Sequence, residues 1–376
     1  MNKCKVFPFY FPQFYATPEN DLWWGEGFTD WQLVENAKAV STKQRQPRIP
    51  YGTDFYDQSI VMTLSEQAAL AKRYGISGFN FYHYWFDGKL ILEKPAENLL
   101  ENKDIDIEYF FTWANETWTR QWVGKPKDIL IKQQHIVDTE LWKAHYQYLN
   151  QHFQDIRYLK VSNKPVFCIY RPELINNLDK FMSFFNDEAI KSGFDGVHFI
   201  ALRAYDVINA ENLYKNFSAI VNFQPRYAIN KYLKKNGVVK NVLGKIARRL
   251  PESMQLNIAT MLKNKTYSEF SYDSYLDTLK VRSDLNFLDK PVYQVAFPDW
   301  DNAPRYNERA TFFYNVKLEK FVEALEIIKS QLNEYDEKIV FINAWNEWSE
   351  GAYLEPDTVN GHKYLEAVND VFRCES

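Results

Sequence analysis

The sequence predicts a (β/α)8 barrel with a helical insertion between its sixth and seventh strands. Three observations carry that prediction. Short apolar, aromatic-rich runs recur along the 376 residues, and they are nearly continuous rather than alternating. That is the pattern of strands buried on both faces of a parallel sheet. Stretches with helical periodicity lie between them. Each run also starts plainly and ends in polar side chains, and in such a barrel the C-terminal strand ends form the working face.

The runs, in order, are residues 5–14 (KVFPFYFPQF), 78–85 (GFNFYHYW), 107–115 (IEYFFTWAN), 165–171 (PVFCIYR), 196–203 (GVHFIALR), 218–224 (SAIVNFQ), 291–300 (PVYQVAFPDW) and 338–345 (KIVFINAW). Their ends carry Tyr10 and Gln13, His83 and Trp85, Asn115, Arg171, Arg203, Gln224, Asp299 and Trp300, and Asn346 with Glu347. Helical periodicity covers 61–74, 140–153, 174–192 and 316–332, and Gly75 stands where a helix would stop. The connection from 226 to 290 is too long for one strand–helix unit and reads as an insertion within a single catalytic domain, 1–376. Residues 231–250 hold seven Lys or Arg and no acid. An amphipathic stretch follows to 262, and together they could dock on an anionic membrane or form a solvated helix pair.

Composition excludes several functions. The net charge is −4, so nucleic acid is not expected as a partner. Three widely spaced cysteines give neither a disulfide framework nor a zinc pattern, and no paired-histidine motif exists. No metal or cofactor is therefore expected. The N-terminus lacks the apolar core of a signal peptide, which predicts a cytoplasmic protein, with peripheral membrane contact through 231–262 as an alternative to a solvated surface. Aromatic residues are 17% of the chain, and many sit beside Asn, Asp, Glu and Arg. Aromatic faces in a polar cleft suit an oligo- or polysaccharide, which has C–H faces and hydroxyl edges.

Four segments concentrate the chemistry. In 341–357, Glu347 and Glu350 stand three residues apart among Trp345, Asn346 and Trp348. Glycosidic cleavage needs two carboxyl groups, and this spacing puts both on one face of a helical turn. A solvated acidic loop is the plain alternative. In 110–122, Trp113, Asn115, Glu116 and Trp118 crowd together with Arg120 and Trp122. Glu116 reads as a catalytic acid, a hydroxyl ligand or an ion-pair partner of Arg120. In 20–32, Trp23, Trp24 and Trp31 could stack on sugars or pack the barrel mouth, and Asp21, Glu26 and Asp30 could bind hydroxyls. In 79–89, His83 reads as a site residue or a hydrogen-bonded core histidine.

Together FYFPQF (9–14), NDLWWGEGFTDW (20–31), FNFYHYWF (79–86), WANETWTRQW (113–122), FPDWDNAPR (297–305) and WNEWSEG (345–351) resemble the WbsX-like proteins of polysaccharide-biosynthesis clusters. That family is related to glycoside hydrolase family 99, the retaining endo-α-mannosidases. The resemblance implies a (β/α)8 barrel and a carboxylate pair in the family's NEWxE motif. It implies that Glu347 takes the proton of the sugar 2-hydroxyl, which then attacks the anomeric carbon to give a 1,2-anhydro sugar. It implies that Glu350 acts as acid, then as base. The leading expectation is a retaining glycoside hydrolase or transglycosylase acting on a bacterial surface polysaccharide or its precursor. A glycosyltransferase of O-antigen or capsule synthesis and a non-catalytic glycan-binding barrel are the alternatives.

Overall fold

The computed structural model describes residues 4–52, 55–205, 207–236, 267–285 and 287–373. All eight apolar runs contain barrel strands: β1 (Lys5–Tyr10), β2 (Gly78–Phe86), β3 (Glu108–Trp113), β4 (Lys164–Ile169), β5 (His198–Arg203), β6 (Ala219–Asn222), β7 (Val292–Ala296) and β8 (Ile339–Ile342). Each pairs in parallel with the next, and β8 returns to β1 through Lys5↔Ile339 to Pro8↔Ile342. The sheet is closed and the fold is a (β/α)8 barrel. The ends of the first and seventh runs, 11–14 and 297–300, lie past the strands, in the connections around the barrel mouth.

The helices predicted from periodicity are α1 (Val61–Arg73), α3 (Thr139–Phe153), α4 (Leu178–Lys191) and α8 (Leu318–Gln331). The side chain of Asp138 accepts from the N–H groups of Glu140 and Leu141, which fixes the start of α3. Periodicity did not single out α2 (Lys94–Glu101), α5 (Ala210–Tyr214), α6 (Arg226–Lys231), α7 (Tyr272–Leu279) or α9 (Lys363–Phe372). Each has ten residues or fewer, too short for a clear repeat.

The core has two layers. Inside the barrel, Phe7, Phe9, Phe110, Phe223 and Phe341 meet edge-to-face or tilted, with centroids 5.0–6.1 Å apart. Outside it, strand side chains pack on the helices, as Trp113 does on Phe181 of α4. Burying each such ring contributes about 1.5–3 kcal/mol. Alternation along a strand decides the layer. On β2, Tyr82 stacks on Phe9 inside, while His83 and Trp85 face His145 of α3 outside.

The long connection begins with α6 and a turn at Leu233–Asn236. It resumes with strand Ser268–Ser271, paired in parallel to Thr311–Tyr314, and then α7. Residues 237–266 lie outside the described ones, and with them most of the basic run 231–250 and all of the amphipathic stretch 254–262. Among the described residues, no helix is long and apolar enough to cross a membrane.

Candidate active site

A cleft of about 1040 Å³ opens at the C-terminal end of the barrel. Its floor comes from strand ends: Phe11 after β1, Tyr82 and Tyr84 on β2, Tyr170 after β4, Phe223 after β6, and Asn343, Glu347 and Glu350 after β8. Its walls come from two excursions. One is the short helix Pro18–Trp24; the other is a hairpin of Trp118–Arg120 and Lys125–Ile131. They meet through aromatic rings, Trp23 edge-on to Trp118 and Trp24 stacked on Trp122 at 5.7 Å and 14°.

The carboxylates sit on a tight turn. Asn346–Glu347 pairs antiparallel with Ala352–Tyr353, and Trp348–Glu350 forms one 3-10 turn between them. A 3-10 turn brings positions i and i+3 into line, so both glutamates face the cleft. Gly351 closes the turn at φ +64°, where an added Cβ would lie 3.1 Å from Arg48 and from the Asp301 backbone. The Asp301 N–H donates to the Glu350 carbonyl at 2.6 Å and pins the turn.

One guanidinium organises this pair. Arg305, 7% exposed, lies 3.2 Å from Glu347 Oε1 and 3.4 Å from Glu350 Oε1. It is held from behind by Asp30, which accepts from its Nη2 at 2.7 Å and Nε at 3.2 Å. Asp30 also accepts from Gln13 and Ser349. Arg305 rests against the rings of Phe11 and Trp122. Glu350 further accepts from the Trp300 indole at 3.1 Å and from Arg226 at 3.5 Å.

The two glutamates therefore differ in environment. Burial pushes the Glu347 carboxyl well above the usual range, and the charges of Glu350 and Asp30 add to that, against the pull of Arg305. Its Oε1 has no aligned hydrogen-bond donor although Arg305 is near. The hydroxyls of Tyr82 and Tyr84 are held protonated, first by burial and then by neighbouring negative charge, so each can donate to a ligand. Behind the turn, burial lifts Glu355 to about 7. It is held by the Trp348 indole, the Tyr56 hydroxyl and Gln67.

Eight of the residues singled out from the sequence line the cleft: Gln13, Trp23, Trp24, Glu116, Trp118, Trp122, Glu347 and Glu350. Others brace it. Trp300 holds Glu350. Arg171 pairs with Glu116 and Glu173. Asn115 clamps the Arg171 backbone, Asn346 that of Phe11, and Gln224 accepts from the Ala228 N–H. Asp299 pairs with Arg48. The rest are packing groups. Trp31, Trp345 and Trp348 are buried, Trp348 stacked on Tyr353 at 3.7 Å. Tyr10 donates to Gln67 of α1, and His83, Trp85 and Trp113 face the helices. Arg120, one alternative partner read for Glu116, pairs instead with Asp128, while Glu116 pairs with Arg171. Asp21 caps Gly27 rather than a ligand.

Cleft residues not singled out include Phe11, Asn20, Tyr82, Tyr84, Tyr170, Phe223, Arg226, Arg305, Tyr306 and Asn343. Tyr82 and Tyr84 could have been found from strand alternation. Among the described residues, no group of three His, Cys, Asp or Glu could hold a metal ion.

Comparison with known proteins places the fold and the family. A protein of Xanthomonas campestris pv. campestris, described only as "Uncharacterized protein WxcX", is 31% identical over 366 residues, 96% of this chain and 48% of its own. The chain thus spans about half the length of the curated relatives it matches. A solved structure described as "Glycoside hydrolase-like protein" superposes with a TM-score of 0.60 at 12% identity, covering 100% of this chain and 95% of the other. The GH99 endo-alpha-mannosidase from Bacteroides thetaiotaomicron superposes with a TM-score of 0.57 at 11% identity, covering 98% and 97%. These likenesses establish a shared barrel fold. The match that defines lineage runs over residues 6–368, and by it the chain belongs to the family described as "Glycosyltransferase WbsX".

Proposed function

We propose that this protein is a retaining carbohydrate-active enzyme that breaks or transfers a glycosidic bond through Glu347 and Glu350. The observation that carries the reading is the shared guanidinium: two cleft-facing carboxyl groups both touch Arg305, at 3.2 and 3.4 Å. The substrate is a bacterial surface polysaccharide or its precursor, in keeping with the family and with the aromatic walls.

The chemistry follows from the two environments. A carboxylate of raised proton affinity is a stronger base once ionised. Glu347, buried and lacking an aligned donor on Oε1, suits removal of a proton from a sugar 2-hydroxyl. The oxygen so activated attacks the anomeric carbon, and Glu350 gives its proton to the leaving oxygen. Water, or the hydroxyl of another sugar, then opens the 1,2-anhydro ring with Glu350 as base and Glu347 returning the proton. Tyr82 and Tyr84 donate to sugar oxygens, and the Trp23–Trp118 and Trp24–Trp122 walls guide the chain. The family description favours a second reading, transfer from an activated donor in the same cleft.

Purified protein incubated with α-mannans and with O-antigen or capsule glycans, read by mass spectrometry, tests both. New oligosaccharides from wild type but not from Glu350→Gln support cleavage. Longer glycans formed only when nucleotide sugars are added support transfer. Full activity in both Glu347→Gln and Glu350→Gln would falsify the carboxylate assignment.

A further inference from the structure

Four arginines stand at the strand ends around the cleft, and three have fixed partners. Arg305 is held by Asp30 and the two glutamates. Arg171 pairs with Glu116 and Glu173 and lies over the ring of Tyr205. Arg203 donates to Asn222 and to the Asp284 carbonyl, between the rings of Tyr227 and Phe287. Arg226 is different. It opens α6, lines the cleft, and keeps 35% of its side chain exposed. Among the described residues its one polar contact is Glu350 Oε1 at 3.5 Å, the weak end of hydrogen bonding. A guanidinium carries five N–H donors in a planar fork.

We propose that Arg226 docks an acidic group of the substrate, a sugar carboxylate or a phosphate, so that the cleft takes an anionic glycan. This inference rests on Glu347 and Glu350 being the catalytic pair. In that chemistry Glu350 must hold a proton when the leaving oxygen departs. A protonated Glu350 no longer balances Arg226. Asp30 and ionised Glu347 both lie on Arg305, and Glu116 and Glu173 on Arg171, so among the described residues no other carboxylate is in contact with Arg226. A neutral sugar laid over it would bury a charge with unspent donors, which is costly. A carboxylate or phosphate restores the pair, with two parallel hydrogen bonds if it meets the fork squarely.

The test measures binding by Glu350→Gln protein, which cannot complete the chemistry, to an array of bacterial surface glycans. The array holds acidic members (uronic acid or phosphodiester) and neutral ones, at two salt concentrations. Retention of acidic members is expected, weakening with salt and falling at least tenfold when Arg226→Gln is added. Arg226→Lys should recover part of it, because charge survives and the fork does not. Acidic members should also bind Glu350→Gln more tightly than wild type, since the competing carboxylate is gone. Thermal unfolding of each variant separates lost binding from lost fold. Retention of neutral glycans alone, or acidic retention indifferent to Arg226, overturns this inference and leaves the carboxylate reading standing. No retention of any glycan by folded protein overturns both.

Discussion

The ends of β2 and β8 look alike in sequence and differ in use. FNFYHYW and NAWNEWSE each set ionisable residues between aromatic ones. At β2 the ionisable residue, His83, points outward. Its Nε2 lies 2.9 Å from His145 Nε2, and it stacks on Tyr148. Burial holds His83 and His152 down to about 3 and His145 well below its usual range, so all three stay neutral at physiological pH. At β8 the ionisable residues face an open cleft, and their charges are set against a guanidinium. Both regions bury titratable groups. Only the second leaves them in reach of a ligand and of opposing charge, and that marks a site more firmly than a perturbed pKa does.

Replacing the glutamates should break the comparison most clearly. Glu347→Gln and Glu350→Gln should each lower kcat/KM by about 1000-fold or more, on the order of 4 kcal/mol of transition-state stabilisation. Their unfolding temperature should hold or rise, because a buried charge is removed. Steady-state kinetics beside thermal melts checks both halves.

Arg305→Gln should cost about 100-fold and also move the pH profile. If Glu347 works as the ionised base, activity rises as pH passes its pKa. Removing the guanidinium raises that pKa further, so the acidic limb should shift to higher pH. A shift to lower pH would contradict the base assignment. The variant leaves Asp30 buried and unpaired, at about 3–5 kcal/mol in stability, so rates are to be read below its lowered melting point.

Much of this was legible in the sequence. The eight strands announced themselves because both their faces are apolar, and the i, i+3 glutamates because a single turn aligns them. The same two-sided apolarity hid the inner face. On β2, Tyr82 and Tyr84 reach the cleft while His83 and Trp85 turn away, one residue out of step with expectation. Arg305 was hidden for another reason. It belongs to no periodic pattern, and its anchor Asp30 is 275 residues away. Asp30 was read as a hydroxyl ligand because a sequence shows a carboxylate without its partner.

A smaller effect is expected at the walls. Trp122→Ala removes a ring that stacks on Trp24 and lies against Arg305, and should raise KM about tenfold with less change in kcat. An equal loss in kcat would mean that Trp122 acts through Arg305 instead.

The smallest kinetic effect belongs to the histidine cluster. His83→Phe should leave kcat/KM within about twofold and act on stability alone. The folded state keeps His83 and His152 neutral down to about 3, while the unfolded chain takes up protons from 6.5 downward. Stability should therefore decline as pH falls from about 6.5 toward 3, by about 1.4 kcal/mol per pH unit for each histidine. His83→Phe should flatten that decline in acid melts. A large kinetic loss would dissolve the contrast between the two strand ends.

The Asp30 carboxylate has a consequence for how the molecule comes to exist. It bonds Arg305 across 275 residues and Ser349 across 319, while Asn346 clamps Phe11 across 335. β1 and β8, which lead into Phe11 and Asp30 and into Asn346 and Ser349, also close the barrel. The surroundings of the two glutamates are thus complete only once β1 and β8 have paired. Such distant contacts form late in folding. Seven strands in place would leave the site unorganised, and pairing of the eighth with the first would finish the barrel and complete the site together.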